Sequence, residues 1–365
     1  MGTKISLSRF LRSKDKSFTA SNSSTTSINE GSVNGPSVGD LTPEPVLSFP
    51  DGIQQLHTCA DATVDICFVH GLTGNRTSTW TARGAIEPWI KTLLPGVIDK
   101  ARILTYGYDA YPLSKSVASS NRLIDHASNL LNDITMNRTN HGSTQRPLIF
   151  VAHSLGGLVC KKALLQSRHH PEAPLRDVFN STKGVIFLGT PHKGAWMAKW
   201  GNISATALGL VKSTNTSLLE ILETDNQLLE SIQVDFVSMV RELRESGRNL
   251  EITGFFEELP LRGIGLVVPK DSAQLPGHNS LSIHADHSNM VKFSSAEENG
   301  FQRVVGELKR WQLSASVTQN LGFILRDLRI IHDMFGSSQQ AVVRRIIQTH
   351  VLSESVAHDI NRSRK

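Results

Sequence analysis

The stretch Ala152-His153-Ser154-Leu155-Gly156-Gly157 follows the fully apolar run Leu148-Ile149-Phe150-Val151. Serine becomes a nucleophile when a neighbouring base takes its proton, so a serine exposed on a tight turn is a candidate for covalent catalysis. Ala152 and Gly156, two before and two after Ser154, match the nucleophile elbow G-x-S-x-G with Ala in the first Gly position. Bulky side chains at those two positions would clash across a sharp strand-to-helix turn. The competing reading makes Ser154 a helix N-cap, a position serine commonly takes.

Three more segments supply the other parts of a serine hydrolase in the required order. Phe68-Val69-His70-Gly71-Leu72-Thr73-Gly74 closes an early apolar run, and a glycine turn there aims the N–H of Leu72 beside the serine. With the N–H of Leu155 it would complete an oxyanion hole. His287, in Ala285-Asp286-His287-Ser288-Asn289, follows the last strand-like run and stands where a general base is expected; His284 is the local competitor and is assigned to the strand itself. An acid is expected between serine and histidine, at a strand end. Glu257 of Phe255-Phe256-Glu257-Glu258 is the first choice, Glu258 the second and Asp271 the third. This chemistry requires no metal and no organic cofactor, and no Walker, Rossmann or zinc-ligand spacing is found.

The elements that must hold these groups alternate along the chain. VDICFVHG, ARILTYGY, RPLIFVAHS, TKGVIFLGTPH, LEITGFFEE and SLSIHADH read as strands separated by helical stretches. One helix is marked by Leu123, Ala127, Leu130, Leu131 and Ile134 at spacings of three and four. Another is expected to begin at a capping box formed by Ser295 and Glu298. Continuous apolar strands alternating with helices predict an α/β domain, a mostly parallel sheet covered on both faces, over residues 46–311. Residues 196–248 read as a helical insertion before the acid-bearing strand, placed to form a lid or cap or else ordinary packing helices. Residues 312–365 have a helical pattern suited to docking or dimerisation.

Composition narrows the class. With 39% hydrophobic and 19% charged residues, the chain of 365 residues has enough apolar material for a large core. The formal charge of +5 is modest, and much of the basic excess lies in the first sixteen residues, which argues against nucleic acid as a partner of the body. Three cysteines with no CxxC pair argue against a disulfide-stapled secreted fold. No apolar run approaches the roughly 18 residues of a membrane span. The expectation is therefore an intracellular protein, cytoplasmic or peripheral on membranes.

Residues 1–45 join a basic start to a linker rich in Ser, Thr, Asn, Gly and Pro. Met-Gly-Thr-Lys-Ile-Ser fits the myristoylation pattern, which would place an acyl chain on Gly2 and let nearby Lys and Arg supply a second membrane signal. A mitochondrial presequence and an untethered tail are the two other readings.

The ordered motifs VDICFVHGLTGNRTSTW, ARILTYGYDA, RPLIFVAHSLGGLVCKKAL, GVIFLGTPHKG, GFFEELP, VVPKDSA and ADHSNMVKF resemble the serine-esterase/lipase-like α/β-hydrolase family. That family includes the "serine active site containing" proteins; closer still is the resemblance to the amino-terminal hydrolase domain of fungal NLR-like (NACHT or NB-ARC) proteins. It implies a Ser154, Glu257 and His287 triad, with Leu72 and Leu155 at the oxyanion hole. It also implies a lipid-like ester substrate and association with mitochondrial or endoplasmic reticulum membranes. Receptor-type relatives continue into a nucleotide-binding domain, whereas no P-loop follows here. Two further functions keep the same fold: a signalling module with little turnover, and acyl transfer to another lipid.

Overall fold

A computed structural model describes residues 51–71, 74–108, 119–192, 226–263 and 265–315, all within the compact unit Ser48–Lys365. Its centre is a seven-stranded sheet in the order β1-β3-β2-β4-β5-β6-β7. The strands are β1 (Gly52–His57), β2 (Val64–Val69), β3 (Ala101–Gly107), β4 (Leu148–His153), β5 (Thr182–Leu188), β6 (Glu251–Glu257) and β7 (Asn279–Ile283). Only the edge strand β1 is antiparallel, against β3; the other pairs are parallel.

The continuous apolar runs have the cause the sequence suggested. Every residue of β2, β3 and β4 is buried, because helices cover both faces of these inner strands. Alternation then divides them. Leu148, Phe150 and Ala152 face one core, with α2 (Ser119–Asn140), α3 (Gly156–Arg168), α4 (Ala173–Ser181) and α5 (Asn226–Glu245). Ile149 and Val151 face the other, built with α1 (Trp89–Thr92) and a helix over 299–315, α7. A short helix, α6 (Lys270–Ala273), precedes β7. In the second core Phe68 meets Trp80 and Trp89 edge-on at 5.1 and 5.6 Å. Truncating such a buried ring costs about 3–5 kcal/mol.

Leu123, Ala127, Leu130, Leu131 and Ile134 are all buried on α2, as their spacing predicts. Part of the segment 196–248 is α5, whose Leu229, Ile232, Phe236, Met239 and Val240 pack into the first core; residues 193–225 lie outside the described residues. So do Gly2 with the rest of 1–50, and the tail from 316 onward. Two boundaries differ from expectation. His284 falls just beyond β7, and α7 begins after Ser295, with Glu298 accepting hydrogen bonds from the N–H groups of Ser294 and Ser295 at 2.6 and 3.1 Å. Glu298 thus closes the loop ahead of the helix, and Ser295 stands one turn too early to be its cap.

At the amino-terminal end of the sheet, Asp65 is fully buried among three arginines. Arg102 donates through Nε at 2.9 Å and Nη2 at 2.7 Å, Arg138 at 2.8 Å and Arg146 at 2.9 Å. One carboxylate so surrounded ties β2, β3, α2 and the start of β4 together. Burial lowers the Arg138 pKa to about 10, against the raising effect of Asp65. No helix among the described residues is long and apolar enough to cross a membrane.

Candidate active site

Ser154 leaves β4 with φ at +50°, one of two non-glycine residues in the left-handed region among those described. That conformation costs an L-residue roughly 1–2 kcal/mol, so the surrounding structure must enforce it. The Ser154 N–H donates to Leu188 O at 2.9 Å, anchoring the turn on β5. A Cβ on Gly156 would stand 2.3 Å from His70 O and 2.7 Å from Val69 O. The glycine is therefore demanded by the end of β2 rather than by a clash across the turn itself. Gly157 likewise leaves room for Thr190, whose Oγ1 would lie 2.2 Å from an added Cβ. The N-cap of α3 is Leu155, and no side chain caps it, so Ser154 is not a helix cap.

The structure brings Glu257 and His287 into direct contact. Glu257 ends β6 and is buried; its Oε2 lies 2.6 Å from His287 Nδ1. A carboxylate accepts, so Nδ1 carries a proton and Nε2 is the nitrogen left to take one from a nucleophile. The other carboxylate oxygen, Oε1, accepts from the N–H of Val267 and, at 3.0 Å, from that of Val268. His287 Nε2 is buried and has no hydrogen-bond partner among the described residues. Ser154 stands on the same edge: its N–H is held by Leu188, and a Cβ on the next residue, Gly189, would lie 2.8 Å from His287 Cε1. The serine hydroxyl does not bond Nε2 here; catalytic hydrogen bonds are often long or misaligned without substrate.

The alternatives separate cleanly. Glu258 is exposed and its Oε2 accepts from His284 Nδ1 at 2.8 Å, on a side chain that is 78% exposed. The competing histidine and the second-choice acid thus pair with each other at the surface. Asp271 is exposed on α6. Leu72 lies outside the described residues, and Leu155 stands at the head of α3.

Two histidines with no role assigned from sequence flank the site. His70 is fully buried, donates from Nδ1 to Gly71 O at 2.8 Å and accepts from the Tyr108 N–H at Nε2, 3.2 Å away. The Tyr108 ring stacks on it at 4.4 Å, and the Tyr108 hydroxyl donates to His70 O at 3.0 Å. Burial pushes the His70 pKa down to about 4, so the ring stays neutral and fixes the turn after β2. His153 is buried against His287. Both residues lie inside quoted motifs, but only the folded chain reveals their partners.

A serine on a strained turn after a central parallel strand, a carboxylate at a later strand end and a histidine after the last strand occur here in that chain order. The fold is that of an α/β-hydrolase. No protein-family model matches the chain. It is 27% identical to Protein SERAC1 of Homo sapiens over 282 residues, 70% of this chain and 41% of that protein. Protein SERAC1 of Danio rerio is 28% identical over 273 residues, 67% of this chain and 39% of that one. The chain thus spans about 40% of the length of these curated relatives. Among solved structures it is similar to a putative aryl esterase from Burkholderia cenocepacia, at 14% identity and a TM-score of 0.40, covering 73% of this chain and 99% of that one. A thermophilic esterase from Thermogutta terrifontis gives 12% identity and a TM-score of 0.39, covering 72% and 93%.

Proposed function

We propose that this protein is a serine hydrolase of carboxylic esters, acting through an acyl-enzyme on Ser154. The observation that carries the reading is the buried pair of Glu257 and His287, whose Nε2 has no partner among the described residues, at the same sheet edge as Ser154 on its strained turn. Ser154 Oγ attacks the ester carbonyl carbon while its proton passes to His287 Nε2. Glu257 holds the Nδ1 proton throughout, fixing the tautomer and stabilising the imidazolium. By the motif resemblance, the oxyanion takes hydrogen bonds from the N–H groups of Leu155 and Leu72; each such donor lowers the barrier by about 3–4 kcal/mol. The tetrahedral intermediate collapses as His287 returns the proton to the departing alcohol. Water then enters by the same steps and releases the acid.

Lipid esters are the substrate class favoured by the motif resemblance, and peripheral association with mitochondrial or endoplasmic reticulum membranes belongs to the same reading. The test is release of acid from p-nitrophenyl esters of rising chain length and from phospholipid vesicles, comparing the protein with Ser154→Ala. Serine-dependent release that grows with chain length supports the lipid assignment. Release confined to the shortest esters removes the lipid assignment, and no serine-dependent release removes the hydrolase. Adding an acceptor alcohol separates hydrolysis from acyl transfer, since the ester product appears only in the second case.

A further inference from the structure

His153 is the last residue of β4 and directly precedes Ser154. Its ring lies 4.9 Å from that of His287, centroid to centroid, and its Nε2 is 3.1 Å from the backbone carbonyl oxygen of His287. A carbonyl only accepts, so His153 must carry its proton on Nε2. Burial drives its pKa well below the ordinary value for histidine, and the neighbouring His287 adds to that effect. The other flank of the ring is closed by Gly71, where a Cβ would come within 3.1 Å of His153 Nδ1 and 2.7 Å of Ser154 Cβ. The ring is therefore wedged between the turn after β2 and the loop after β7.

Filling that space would not by itself need a histidine. A buried polar ring costs free energy unless its hydrogen bond is made, and an aliphatic side chain of similar size avoids the cost. What histidine adds is one N–H joining two segments 134 residues apart that must meet for the reaction. Elsewhere the loop is held by Asp286, whose Oδ1 accepts from the N–H groups of Ser288 and Asn289, and by Trp89 Nε1 donating to Val291 O at 2.8 Å. Glu257 fixes the ring of His287 through Nδ1, but that contact leaves the ring free to pivot about the bond. Fixing the carbonyl of the same residue sets the pivot point.

We infer that His153 is a positioning residue: its Nε2–H holds the main chain of His287 so that the base meets the hydroxyl of Ser154. The inference rests on the reading of Ser154 and His287 as nucleophile and base. A misplacement of about 1 Å in such a pair costs on the order of 100-fold in rate.

The experiment compares His153→Leu, which removes the donor, with His153→Gln, whose amide N–H reaches a similar position. Second-order labelling of the full chain by a fluorophosphonate falls about 10–100-fold in H153L and stays within about threefold of wild type in H153Q. Thermal unfolding is followed alongside: H153L removes a buried polar ring but leaves the His287 carbonyl without its donor, so the two variants unfold at similar temperatures. Packing alone would make labelling follow stability. Wild-type labelling in H153L, or equal loss in both variants, overturns the inference. A readout independent of reaction is the tautomer: long-range proton–nitrogen spectra of histidine-labelled protein show His153 protonated on Nε2 and not titrating through the ordinary histidine range. An Nδ1–H tautomer overturns the inference even if Ser154 labels. An Nε2–H tautomer in a wild-type protein that never labels overturns the reading of the site and, with it, the positioning role.

Discussion

Two histidine–glutamate pairs stand side by side at the carboxyl ends of β6 and β7. His287 with Glu257 is buried at 2.6 Å; His284 with Glu258 is exposed at 2.8 Å. Residue types and nitrogen atoms are the same, and the distances differ little. The difference is where the strands send them. Glu257 and Glu258 are consecutive in an extended segment, so they point to opposite sides. The main-chain bonds from Glu258 N to Ile283 O and from Leu259 N to Ala285 O carry the pairing past both strand ends. Glu257 then meets two backbone N–H groups, from Val267 and Val268, while Glu258 faces water. The Glu258 pKa is lowered first by a hydrogen bond from Ser282 and then by His284, an arrangement screened by solvent. Burial gives one pair a fixed tautomer and direction, and the other is a hydrogen-bonded pair at the surface.

Substitutions that treat the pairs alike should separate them. His287→Ala is expected to lower ester turnover by about 10⁴–10⁶-fold, as loss of a general base does, whereas His284→Ala leaves it within about twofold. Glu257→Gln should cost about 10³–10⁴-fold by loosening the tautomer, and Glu258→Gln should cost nothing measurable. Equal losses in E257Q and E258Q would dissolve the contrast. Gly189→Ala sharpens it. Its φ of +58° and the 2.8 Å approach of an added Cβ to His287 Cε1 predict a displaced ring. Turnover should fall about 10–100-fold, with a stability loss of about 1–2 kcal/mol.

The smallest expected effect concerns pH. His70 is neutral in the folded protein down to about 4, while in the unfolded chain it protonates near the ordinary histidine value of 6.5. Between those values the unfolded state binds the additional proton, so stability falls as pH drops through this window and is level above it. His70 alone contributes up to about 3 kcal/mol to that loss. His153 and His192, both also depressed first by burial, add in the same direction. Denaturant midpoints from pH 7.5 to pH 4 should show the slope, and His70→Gln should flatten it. A midpoint independent of pH would contradict the neutral, buried assignment.

Much of this was legible in the residues. β2, β4 and β5 are runs with hardly a polar interruption, α2 shows its buried stripe, and the order serine, acid, histidine restricted the site to a handful of positions. β1 was not legible, because GIQQLH is a half-exposed edge strand whose two glutamines break the apolar pattern. The choice between Glu257 and Glu258 needs a register that spacing alone cannot supply. Asp65 draws its arginines from positions 102, 138 and 146, and the contact of His153 with His287 spans 134 residues. Such partners are decided by tertiary packing, and no local pattern encodes them.

The central claim is that Ser154 is an activated nucleophile. The direct measurement is fluorophosphonate labelling of the full chain, with the modified residue located by peptide mass. The account predicts a single adduct on Ser154, absent in Ser154→Ala and in His287→Ala. An adduct on another serine, or none on folded wild type with detergent present, would contradict it.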